Sequence, residues 1–162
     1  MASVSHRHVR EMGESLVRTR LEQLGWDVTP ANERGLSFYV IKGDRELGVQ
    51  VKAIRHGNWQ FTADRLMDIS ISADGLQTIL GRTTPPQPDL IHILVKLDQD
   101  EYFVLTQREL YDVVCSSYET WLQARGGRRP HKPESMHCSA RPIDLAAYQD
   151  NWALIGRAMG GK

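Results

Sequence analysis

The stretch Gly35–Ile54, GLSFYVIKGDRELGVQVKAI, decides how the rest of the chain is read. Leu36–Ile41 is a β-branched and aromatic run, Lys42–Arg45 carries a Gly-Asp turn signal, and Leu47–Ile54 is a second apolar run. Together they predict a β-hairpin. Side chains alternate along a strand. Val49, Val51 and Ala53 therefore share one face, directed to a packed core, while Gln50 and Lys52 sit side by side on the other. A Lys beside an amide on a non-core face is most simply a solvated pair. The apolar density around this pair points instead to a central strand.

Toward the N-terminus, Val9, Met12, Leu16, Val17, Leu21 and Leu24 recur near a period of 3.6, predicting a helix from about His8 to Leu24 with Gly25 as its stop. Glu14 stands with Val17 and Leu21 at helical spacing and so borders the apolar stripe, within reach of Arg10 or Arg18. Trp26–Thr29 reads as a short strand ended by Pro30, and Pro30–Gly35 as a polar connection into the hairpin. After the hairpin, Arg55–Asn58 is a turn and Trp59–Thr62 a short strand. Ala63–Gly81 is ambiguous, with a short helix expected around Ala63–Ile69. Arg82–Pro88 contains TTPPQ and reads as a loop.

Asp89–Leu97 predicts a strand with Ile91, Ile93, Val95 and Leu97 on one face. Asp98–Asp100 turns it into a partner strand, Glu101–Leu105. Thr106 followed by Glu109 is a capping box for a helix over Gln107–Ala124, stopped by Gly126-Gly127. Two short helices, Pro142–Tyr148 and Asn151–Met159, close the chain. The element order predicts one α/β domain over 1–162, a mixed central sheet flanked by helices, with a core of about 8–125 and a C-terminal extension of about 126–162.

The composition narrows the function. Of 162 residues, 41% are hydrophobic, enough for a core, and the formal net charge is zero. The whole-protein field does not advertise a polyanion partner, so any nucleic-acid contact must come from a local basic patch. The loop Arg125–Lys132, RGGRRPHK, is such a patch: Arg125, Arg128, Arg129 and Lys132 suit phosphate-backbone contact, and the bland reading is a solvated loop after a helix. Cys115 and Cys138 have no CxxC spacing and read as free thiols in a reducing compartment. His131, His137, Cys138 and Cys115 lack zinc-ligand spacing. Trp121 and Trp152 read as core residues. No signal-peptide h-region and no membrane-length apolar run is present, so a cytoplasmic protein without a membrane partner is expected.

The helix with an edge-facing Glu in GESLV, the Gly-Trp after it, the variable hairpin and the strand GVQVK resemble the core of the PD-(D/E)XK nuclease superfamily, the restriction-endonuclease-like fold. The motif resemblance covers roughly Val9–Ile54, and the order of elements extends it to Leu105. GxSxG, P-loop and zinc-finger patterns are absent. The resemblance implies a metal-dependent DNA endonuclease, with Glu14 and Gln50 as ligands to Mg²⁺ or Mn²⁺ and Glu14, Gln50 and Lys52 as the catalytic set. Phosphodiester hydrolysis suits these types: a divalent cation against a phosphate oxygen, a polarised water, and a Lys that orients the water or offsets developing charge. DNA is the implied partner, RNA the alternative, and a homodimer is common in the fold.

One position departs from the family. Where the family places an Asp on the first hairpin strand, this chain has Ser37, a neutral and poor Mg²⁺ ligand. Glu33 substitutes only if its segment bends inward, because four extended residues span about 13 Å. Asp44 lies in the hairpin turn, and Asp27 and Asp64 are further candidates. The lost Asp opens the other expectation, a catalytically inactive nuclease-fold module that binds nucleic acid or a protein partner.

Overall fold

The computed structural model describes residues 5–160. Helix α1 (His6–Gln23) is opened by the Ser5 side chain, which accepts the His8 N–H. It ends where Gly25 takes a positive φ of 93°, letting the Gly25 and Trp26 N–H groups donate to the Glu22 and Leu21 carbonyls. Strands β1 (Asp27–Pro30), β2 (Phe38–Lys42) and β3 (Arg45–Ile54) follow as an antiparallel meander. The expected hairpin is present, with Phe38 opposite Val49 and Lys42 opposite Arg45. Its two-residue turn holds Gly43 at φ 63°, a conformation that favours glycine.

The chain then leaves the sheet. Strand β4 (Trp59–Thr62) is followed by a single 3-10 turn, Ala63–Arg65, and by strands β5 (Met67–Ile71) and β6 (Gln77–Arg82). It returns as β7 (Ile91–Lys96), parallel to β3, and β8 (Glu101–Thr106), antiparallel to β7. The five-stranded mixed sheet has the order β1-β2-β3-β7-β8. Helix α2 (Gln107–Gln123) starts on the expected Thr106–Glu109 capping box. Strand β9 (His137–Ala140) pairs antiparallel with β4, Pro142–Tyr148 is a 3-10 segment, and α3 (Ala153–Ala158) ends the described chain.

Helices cover both faces of the sheet. Val17 and Leu21 of α1 and Ile155 of α3 pack with Val49, Val51, Ile91, Ile93 and Val104 on one side. Leu110, Val114, Tyr118 and Leu122 of α2 pack with Trp59, Leu94, Phe103 and Leu105 on the other. A central mixed sheet flanked by helices is thus the architecture.

The structure corrects one expectation and fills in what the sequence left open. The helix expected around Ala63–Ile69 is one 3-10 turn, and Met67–Arg82 is a β-ribbon. Period-2 alternation in MDISI won there: Met67, Ile69 and Ile71 are covered to varying degrees while Asp68 and Ser70 are exposed. Strand β9 had no sequence signal of its own and forms because β4 offers it an edge. β3 is a central strand, as the apolar density around Gln50 and Lys52 suggested, and the face bearing them is part-covered beside the second core that β4 and α2 build.

Candidate nucleic-acid interface

Alternation and register bring four polar side chains to one face at the Gln50 end of the sheet. Gln50 and Lys52 project opposite to Val49, Val51 and Ala53, which face α1. Gln50 has His92 of β7 as its Cα partner, and Lys52 has Leu94. Ser37 stands one residue before β2. Its N–H donates to the Val49 carbonyl at 2.8 Å, and its hydroxyl accepts the Val51 N–H at 3.0 Å. Ser37 therefore finishes the hairpin ladder beside Gln50.

Lys52 is held from the side by β4. Its Nζ donates to the Gln60 carbonyl at 3.1 Å and lies 4.1 Å from the centre of the Phe61 ring. Its own carbonyl accepts Trp59 Nε1–H at 3.0 Å. Burial lowers the Lys52 pKa from its ordinary value, and the influence opposing that shift is Cys138, not a carboxylate. A carbonyl dipole and an aromatic face thus stand where a counter-ion would be expected. His92 is 7% exposed, and burial, with the Lys52 charge behind it, lowers its pKa to about 4. The result is a half-covered polar surface made of one ammonium, an amide, a hydroxyl and an imidazole.

The carboxylates are carried by other elements. Glu14 is on α1, the helix covering the opposite face, and faces Arg10 at 3.9 Å. Glu33 is hydrogen-bonded to the Tyr39 hydroxyl, which that bond pushes up to about 12. With Glu46 and Asp89 it lines a separate groove of about 370 Å³. Asp64 is exposed, and Asp27 and Asp44 are exposed in β1 and in the hairpin turn. Mg²⁺ and Mn²⁺ favour several oxygen ligands with carboxylates among them. Among the described residues no group of three or more His, Cys, Asp or Glu is gathered to hold a metal ion. Gln50, Lys52, Ser37 and His92 themselves supply no carboxylate, so a cation on this face would need one from another element. The same finding covers the His131, His137, Cys115 and Cys138 set, and both thiols are free and buried.

The basic loop is tied down by its own arginines. Arg125 stacks on Trp121 at 4.2 Å and donates to the Trp121 carbonyl at 3.1 Å. Arg128 pairs with Asp74 at 2.7 Å, anchoring the loop to the β5–β6 turn. Arg129 donates to the His137 carbonyl of β9 at 2.7 Å. Lys132 is exposed. Because Gln60 is paired with Ser139, Lys52 and Arg129 dock on the same β4–β9 ribbon, at carbonyls registered two residues apart, about 7 Å. Between this ribbon and α2 lies a groove of about 1000 Å³ that Arg129, Trp121, His137 and Gln60 help to line.

Sequence reasoning passed over His92 and Gln60. His92 had a faint signal, a lone polar residue inside LIHILV. Gln60 acts through its backbone carbonyl, which no residue type reveals. No helix among the described residues is long and apolar enough to cross a membrane.

No family model matches the chain, and no curated protein matches it. Among solved structures it is similar to that of a bacterial homing endonuclease, I-Ssp6803I, with a TM-score of 0.57 over 97% of this chain and 97% of that one, at 12% identity. At that identity the likeness is one of fold.

Proposed function

We propose that this protein is a DNA-binding member of the nuclease-like fold, and that the Gln50–Lys52 face grips the phosphodiester backbone. The observation that carries this reading is the surroundings of Lys52, whose Nζ meets the Gln60 carbonyl and the Phe61 ring and no carboxylate. A partly desolvated ammonium without a carboxylate partner sits beside amide and hydroxyl groups, in a fold whose solved neighbour is a homing endonuclease. A phosphate oxygen supplies the negative charge that Lys52 lacks within the chain. The basic loop extends the same footprint: Lys132 and the outer edges of Arg125, Arg128 and Arg129 take the flanking phosphates, carried on the ribbon that Lys52 touches.

A second reading is a PD-(D/E)XK-like endonuclease using Mg²⁺ or Mn²⁺, with Glu14 and Gln50 as ligands and Lys52 orienting water or offsetting charge. The Gln-x-Lys spacing beside the hairpin favours it, and the donor set argues against it. One pair of assays separates the two. Gel-shift titration of duplex DNA should show binding that falls steeply with added salt and weakens in Lys52→Ala, with RNA duplex a poorer competitor. Supercoiled plasmid with Mg²⁺ or Mn²⁺ should stay intact. Metal-dependent nicking that Lys52→Ala abolishes would replace the binding reading with the catalytic one. Sedimentation of the complex reads whether one duplex recruits a homodimer.

A further inference from the structure

His92 is the one polar side chain among the buried residues Ile91–Val95. Its Nε2 lies 3.4 Å from Gln107 Nε2. Gln107 Oε1 accepts the Gln87 N–H at 2.8 Å. A backbone N–H can only donate, so this contact fixes the amide oxygen toward Gln87 and the NH₂ toward His92. An NH₂ can only donate as well. His92 Nε2 therefore carries the lone pair, and the proton of the neutral ring sits on Nδ1.

That Nδ1–H has no hydrogen-bond partner among the described residues. Nor is it one of the unpartnered side-chain atoms sealed from solvent, which are Arg55 Nε, Arg129 Nε and Trp152 Nε1. Nδ1–H therefore opens toward solvent, where a ligand oxygen can take the place of water. His92 shares its sheet face with Gln50, its Cα partner, and with Lys52, while Ile91 and Ile93 on either side enter the opposite core.

We propose that His92 Nδ1–H is a third hydrogen-bond donor to the phosphate held by the Gln50 amide and the Lys52 ammonium, with Gln107 as the positioning residue that fixes its tautomer. The proposal rests on the DNA-binding reading above. Gln107 reaches His92 from the start of α2, so the capping box that sets the first turn of that helix also sets the imidazole.

The test uses the full chain and a short fluorescent DNA duplex. An Asn side chain places its NH₂ near the Nδ1 position, and a Gln side chain places its own near Nε2. His92→Asn should keep duplex affinity within about twofold, and His92→Gln should lose about tenfold, the value of one hydrogen bond to a charged group. Equal losses in both variants, or none in either, overturn the proposal. Nitrogen-15 spectra of the wild-type imidazoles keep it testable if a variant fails to fold. They should show Nδ1 protonated and Nε2 bare, with the Nδ1 resonance moving when duplex is added. The opposite tautomer, or an unmoved resonance at saturation, overturns it. Lys52→Ala separates the two readings. If it weakens binding while His92→Gln does not, the role of His92 alone is lost. If the wild type binds no duplex, the DNA reading fails and His92 with it.

Discussion

At the scale of single residues, the chemistry of the face turns on what stands where an acid was expected. Ser37 does structural work there: its hydroxyl is the acceptor for the Val51 N–H. Ser37→Ala leaves that part-buried N–H without its partner and should lower unfolding free energy by about 1 kcal/mol in urea titration. Ser37→Asp keeps an acceptor at the same place and adds a carboxylate beside Gln50. It should give the variant a melting temperature that rises with millimolar Mg²⁺, by linkage of binding to folding, while the wild type hardly responds. Identical responses would mean that Ser37 is outside the site or that another acid already completes it. Lys52 stands close enough on the same face to offset the new charge in the metal-free variant.

At the scale of elements, α1 can lie on β3 because Gly13 has no side chain. A Cβ there would overlap the Ala53 Cβ. Gly13→Val should therefore push helix from strand and cost about 1–3 kcal/mol, despite the loss of a flexible glycine from a helix. The reciprocal pair Gly13→Ala with Ala53→Gly should recover most of what Gly13→Ala alone loses, measured by thermal melting. Failure of that rescue would mean the close approach is not set by this contact. The second helix depends on its start. Thr106 accepts the Glu109 N–H, and Glu109 accepts the Thr106 N–H in return. Thr106→Ala should cost about 1 kcal/mol.

At the scale of the whole molecule, side chains fasten segments that lie far apart in sequence. Arg82 at the end of β6 bonds Glu119, Asp112 and Ser116 of α2. Gln77 joins the ribbon to Pro133, Ser135 and the Tyr118 hydroxyl. Gln77 is 3% exposed, so Gln77→Leu strands a buried hydroxyl and two carbonyls, and should cost about 2–3 kcal/mol. Hydrogen exchange should then rise in the β5–β6 ribbon before it rises in β3 or β7. Asp74 closes the same region. Its bonds to Ser72 and Arg128 hold its pKa down at about 2. The folded carboxyl titrates below the unfolded one, so the tether is fully formed above about pH 4 and is lost as pH falls toward 2. Asp74→Asn should remove that acid-dependent step from the exchange of the loop around Arg128.

The sequence by itself determined what local periodicity can carry. Two-residue alternation marked the hairpin and β7, a 3.6-residue period marked α1 and α2, and Thr106 with Glu109 marked the start of α2. It also placed Gln50 and Lys52 on one face, because alternation within a strand needs no partner. It could not decide what that face meets. Whether Lys52 is solvated or covered depends on β4, whether β9 exists depends on the β4 edge, and His92 joins Gln50 only through the parallel β3–β7 register. Each of these is a contact between segments tens of residues apart. The residue types there leave such pairings open, and they form only when burial of both cores repays the closing of the long loops between them.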